Sequence, residues 1–93
     1  MRVIWSRDAQ DDVFDIVTFY GRDDPALADE FVDRIEAAPV RLIDFPRLGR
    51  RLGGRATRKW SVPRTPFILL YVADDDRIEI ERVVHVSSDW EAS

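Results

Sequence analysis

Phe67-Ile68-Leu69-Leu70-Tyr71-Val72 is an unbroken apolar run. A strand with no polar alternation needs cover on both faces, so this stretch predicts the central strand of a sheet. On its upstream side Pro63 to Pro66 reads as a turn, preceded by Arg58-Lys59-Trp60-Ser61-Val62, which alternates as a half-buried strand. Downstream, Ala73-Asp74-Asp75-Asp76 has polar turn chemistry. The stretch from Arg77 to Val86 then alternates again, with Ile78, Ile80, Arg82 and Val84 on one face and Glu79, Glu81, Val83 and His85 on the other. Together these segments predict a three-stranded meander.

The sheet needs a covering layer, and the first half of the chain supplies one. Val3-Ile4-Trp5 is a short β-prone run that stops at Ser6, whose hydroxyl can accept from an exposed N–H of a following helix. Ala9, Val13, Ile16, Val17 and Tyr20 then form a helical stripe ending near Gly21. Asp24-Pro25 starts a second helix, with Asp24 as cap and Pro25 at the first helical position, where its missing N–H costs nothing. Ala28, Phe31, Val32, Ile35, Ala38 and Leu42 continue that stripe, and Pro39 is expected to kink the helix or split off its last turn. The short connection dictates an antiparallel helical hairpin with both stripes on one sheet. The expected class is α+β in the order β-α-α-β-β-β, a helical hairpin packed on a small, mainly antiparallel sheet, with residues 1–93 as one domain. From Phe45 to Gly54, three glycines and a proline argue against any regular element.

Composition narrows the functional classes. With 45% hydrophobic and 34% charged residues the chain is globular in composition. It has no cysteine, which excludes disulfides, thiolate metal sites and a cysteine nucleophile and agrees with a reducing cytoplasm. Arg7 and Asp8 interrupt the apolar start, so no signal peptide is expected, and no apolar run approaches the about 20 residues of a membrane span. Asp11, Asp12 and Asp15 near the start of the first helix are acids that its dipole favours, so neither a metal nor a cofactor is expected there.

Charge is distributed unevenly. Between Arg47 and Ala73 stand seven cations (Arg47, Arg50, Arg51, Arg55, Arg58, Lys59 and Arg64) and no acid, although the formal net charge of the chain is −4. Such a block inside an anionic protein predicts a localised contact with something negative.

Particular residues can be joined to this order of elements: Trp5-Ser6 with Ala9; Ala28 with Phe31 and Ile35; Leu42-Ile43-Asp44-Phe45-Pro46 with Gly49-Arg50; Thr57-Arg58; Pro66-Phe67 with Tyr71; Ile78-Glu79-Ile80 with Val83; and His85 with Asp89-Trp90. In their order and spacing they resemble the RelE/ParE toxins of type II toxin–antitoxin systems over nearly the whole length. The resemblance implies a small toxin that blocks an essential bacterial process and is held silent by a cognate antitoxin.

Two activities occur among such toxins. RelE-type members cleave messenger RNA on the ribosome, without a metal, which requires a proton acceptor, a proton donor and cations for the phosphorane. Here the candidates are His85, Arg64, Arg58 and Tyr71. The arginine that such members commonly carry three residues before the strand tyrosine is Ile68, and Val86, Ser87 and Ser88 replace basic residues of many relatives. ParE-type members inhibit DNA gyrase by binding. Thr57-Arg58, Pro66-Phe67 and the tail from His85 to Trp90 are closer to that branch, which implies a target-binding surface drawn from Arg50, Arg51, Arg58, Arg64 and Trp90 and no catalytic residue. Direct nucleic-acid binding is not expected of so acidic a chain except through the antitoxin or the ribosome. A third reading is a non-toxic member kept as an antitoxin-binding partner.

His85 reads more simply as a strand-end residue packed on Trp90 or Trp60 and bonded to a carboxylate such as Asp89. Arg58 and Lys59 are neighbours on a strand, face opposite ways and cannot form a paired clamp. Phe14, Phe19, Leu27 and Trp60 fall off the main stripes and are the expected antitoxin anchors, with completion of the core as the alternative role for each of them taken singly.

Overall fold

The computed structural model describes residues 1–88 and 90. In chain order the elements are β1 (Arg2–Trp5), α1 (Arg7–Gly21), α2 (Pro25–Asp44), β2 (Arg50–Arg51), β3 (Arg58–Ser61), β4 (Phe67–Ala73) and β5 (Arg77–His85). The strands make one mixed sheet in the order β1-β5-β4-β3-β2. β1 runs parallel to β5, while all other pairs are antiparallel. The expected α+β arrangement is therefore present, with β4 at its centre and one more strand than the sequence suggested. β2 has only two residues; its pairing of Arg50 with Lys59 and Arg51 with Arg58 comes from β3 rather than from local propensity.

Both helix starts follow from their caps. Ser6 Oγ accepts from the Ala9 N–H at 3.0 Å and an Asp24 carboxylate oxygen accepts from the Leu27 N–H at 3.0 Å. α2 continues through Pro39 to Asp44 without being split, and Pro39 is buried. Val17 departs from the expected stripe and stands 42% exposed. No helix among the described residues is long and apolar enough to cross a membrane.

The core lies between the helices and one sheet face. Ala9 and Ile16 of α1 with Phe31, Ile35, Ala38 and Leu42 of α2 pack on Phe67, Leu69, Tyr71, Ile78, Ile80 and Val83. Phe31, Phe67 and Tyr20 meet edge to face at 5.1 to 6.0 Å. On the reverse face Ile68, Leu70 and Val84 form a smaller cluster against which Leu52 and Trp90 pack. The expected cover of β4 on both faces is thereby met, and Trp90 caps the reverse cluster.

The alternation expected along β5 breaks at a bulge. Leu70 is opposite Arg82 but Tyr71 is opposite Ile80, which leaves Glu81 as the extra residue. Ile78, Ile80 and Val83 therefore share the helix-facing side, and Val84 turns to the reverse face. β1 pairs with β5 only as far as Ile80. Past that point the β5 edge is satisfied by the start of α1. Ser6 N–H donates to Ile80 O at 2.9 Å, Ser6 Oγ donates to Glu81 O at 2.7 Å, and the Val83 N–H donates to Asp12 Oδ2 at 2.8 Å. Arg82 completes the clamp with a bidentate contact to Asp12 at 2.8 and 2.9 Å. Asp12 thus carries more than a favourable helix-end charge.

Replacing Asp12 by Ala strips the Val83 N–H and the Arg82 guanidinium of their acceptor and is expected to cost about 1–3 kcal/mol in urea unfolding. Asp12→Asn, which keeps an oxygen for the Val83 N–H, should lose less.

Candidate functional site

Tyr71 combines a central-strand position with a polar tip that must find partners when buried. Its side chain is fully buried. The phenol donates to Pro46 O at 2.9 Å and accepts from the Gly49 N–H at 2.8 Å, fastening the segment after α2 across the sheet. Arg58, paired with Tyr71 across β3 and β4, donates to Gly49 O at 2.8 Å. Gly49 is caught between these groups: a Cβ there would lie 2.6 Å from Lys59 O and 2.7 Å from the Tyr71 ring. Burial pushes the Tyr71 phenol above its ordinary value, offset in part by the Gly49 N–H and the nearby Arg58 charge.

This fastening shapes an open cleft of about 780 Å³, with Phe45, Arg47, Leu48, Arg51 and Arg58 on one side and Ala73, Asp74 and Asp75 on the other. Phe45 is 58% exposed and Leu48 39%. Asp74 holds the facing turn by accepting from the Asp76 and Arg77 N–H groups, which also keep its carboxyl below the usual range.

Only Arg47, Arg51 and Arg58 of the cationic block line this cleft. The pairing of Arg51 with Arg58 and of Arg58 with Tyr71 places these residues toward the helix side, whereas Arg50 pairs with Lys59, and Lys59 with Leu70, on the reverse side. Lys59 lies 5.5 Å from the centre of the Trp90 ring. Arg58 and Lys59 do diverge, as their adjacency on a strand required. Arg64 sits in the turn between β3 and β4, remote from Arg51 and Arg58. Among the five expected target-binding residues, only Arg50, Arg51 and Arg64 are exposed; Trp90 packs on the reverse cluster, and the half-buried Arg58 bonds the backbone.

The candidate ribonuclease groups are likewise divided. His85 is opposite Phe67 and Tyr71 lies four residues further along β4, a separation of roughly 13 Å at strand rise. His85 and Arg64 therefore share one end of the sheet, and Tyr71 and Arg58 the other. His85 packs edge to face on Phe67 at 5.6 Å. Its Nδ1 accepts from the Ser87 N–H at 3.1 Å and contacts Ser87 Oγ at 2.7 Å. Asp89, the expected carboxylate partner, lies outside the described residues. Of the expected antitoxin anchors, Phe14 and Phe19 are 69% and 67% exposed, while Leu27 and Trp60 are partly buried against the main core.

The chain as a whole is similar to known proteins. The sequence profile of the family described as "ParE toxin of type II toxin-antitoxin system, parDE" matches residues 3–90. This chain belongs to the ParE toxin family. A solved structure titled "Chromosomal ParDE TA system from P. aeruginosa" is similar to this ParE-family chain with a TM-score of 0.77 and 24% identity, covering 91% of this chain and 95% of that one. At that identity the likeness is one of fold. No curated protein sequence matches significantly.

Sequence reasoning missed that Tyr71, Gly49, Pro46 and Arg58 form one unit, although all four lie among the motifs shared with the toxins. Tyr71→Phe orphans the Gly49 N–H and Pro46 C=O and should destabilise the protein by about 1–3 kcal/mol in denaturant. Because the folded state raises the Tyr71 value, the stability this phenol contributes is full below about pH 10, its ordinary unfolded value, and is lost as pH climbs through the higher folded one. Stability curves measured from pH 9 upward should show that loss in the parent and a smaller one in Tyr71→Phe. Gly49→Ala should cost a further about 1–3 kcal/mol by overpacking, read by the same unfolding.

Proposed function

We propose that this ParE-family toxin inhibits DNA gyrase in the cytoplasm by protein binding, makes or breaks no bond in doing so, and is neutralised by a cognate antitoxin. The observation that carries this reading is the separation of His85 and Arg64 from Tyr71 and Arg58 along β4. A ribonuclease needs its acid, base and phosphate clamp around one phosphodiester. Here the imidazole Nδ1 accepts from the Ser87 N–H, and one nitrogen of the Arg58 guanidinium donates to Gly49 O. A binding toxin requires only displayed side chains, and exposed Arg50 and Arg51 on the edge strand β2 supply cations suited to an acidic protein surface. For the antitoxin, the exposed Phe14 and Phe19 of α1 are the anchors, since large apolar side chains concentrate binding energy.

Purified protein is expected to stop gyrase supercoiling in vitro. Arg50→Glu/Arg51→Glu should weaken that inhibition by about tenfold or more and reduce its dependence on salt, because the screened attraction is removed. Full inhibition by this double variant would exclude β2 as the contact. Site-specific cuts in messenger RNA during translation, with supercoiling untouched, would overturn the reading.

A further inference from the structure

Beside α2, Trp60 of β3 is only partly buried against the main core. There a groove of about 220 Å³ runs between α2 and the turn joining β3 to β4, with Ala37, Ala38, Trp60 and Pro63 as its apolar lining and Arg34, Arg41 and Arg64 at its rim. Arg34, Ala37, Ala38 and Arg41 stand at helical spacing, so the two alanines open a gap between two cations. Arg34 is engaged, donating to Arg64 O at 2.9 Å and pairing with Glu30. Arg41 and Arg64 are exposed.

Arg64 holds an unusual backbone. The Thr65 N–H donates to Val62 O at 3.3 Å, which closes a four-residue turn with Pro63 and Arg64 at its centre. Proline followed by a residue of positive φ is the pattern of a type II turn, whose third position ordinarily takes glycine. Here that position has φ +60 and carries an arginine. A strained site occupied by a large cation, where glycine would be cheaper, points to use of the side chain.

We infer that this groove seats an acidic segment of the cognate antitoxin, with a carboxylate held between Arg41 and Arg64 and a neighbouring aliphatic side chain resting on Trp60 and the two alanines. The inference rests on the toxin–antitoxin reading above and adds a second contact to Phe14 and Phe19. Charge complementarity supports it: two exposed guanidiniums flank an apolar floor on a chain of net charge −4. The groove volume admits one or two side chains rather than a nucleic-acid duplex.

Calorimetric titration of the full chain with its cognate antitoxin tests it. Arg41→Glu/Arg64→Glu should weaken binding about tenfold or more and flatten its salt dependence. Arg2→Glu/Arg7→Glu, an equal change of net charge at exposed positions elsewhere, should leave affinity within about twofold. Arg64→Gly should lower affinity while holding or raising the melting temperature, a combination that a structural role for Arg64 would not produce. Unchanged affinity in Arg41→Glu/Arg64→Glu, with tight parental binding, would overturn this inference alone. So would a loss confined to binding of a 20-base RNA probe. A parent chain that fails to bind the antitoxin would overturn the toxin–antitoxin reading together with it.

Discussion

The phenol of Tyr71 couples the central strand to the segment that follows the helices. It is a donor to Pro46 and an acceptor from Gly49, and it can serve both only while buried at the middle of the sheet. Arg58 depends on the same arrangement, because the Gly49 carbonyl it bonds is presented by the fastened segment. The position of β2, and with it the display of Arg50 and Arg51, follows from where that segment leaves Gly49. The display of Arg50 and Arg51 at the sheet edge is thus controlled from the core. An unpaired polar group at Tyr71, Gly49 or Pro46 would carry the full penalty of burial without a partner.

The cationic block, continuous in sequence, is divided by the sheet into separate tasks. Arg58 bonds backbone carbonyl oxygen, Lys59 lies near the Trp90 ring on the reverse face, and Arg64 is exposed at the far turn. Only a part of the block is available for a macromolecular contact. The same pleat that separates Arg58 from Lys59 separates Arg51 from Arg50, so a flat target would meet one member of each pair at a time.

Local signals were legible before the fold was known. Ser6, Asp24 and Pro25 act within a turn of where they stand, and the run from Phe67 to Val72 states its own burial. The residues that misled are those whose roles are set at a distance. Asp12 looks like a helix-end acid but closes the β5 edge about seventy residues away in sequence. The bulge at Glu81 exchanges the faces of every following residue, and nothing in an alternating pattern announces it. Arg50 and Arg51 sit in a glycine-rich stretch and become a strand only because β3 pairs with them. For the candidate site, the residue types were visible, but their division between the two ends of β4 required the register.

As proposed, this chain acts by gripping another macromolecule, and the imidazole of His85, its only histidine, takes no part in chemistry. Growth after expression of His85→Gln tests it most directly. The account predicts arrest equal to that of the parent chain, accompanied by a DNA-damage response. Loss of arrest in the variant, with collapse of translation caused by the parent, would contradict it.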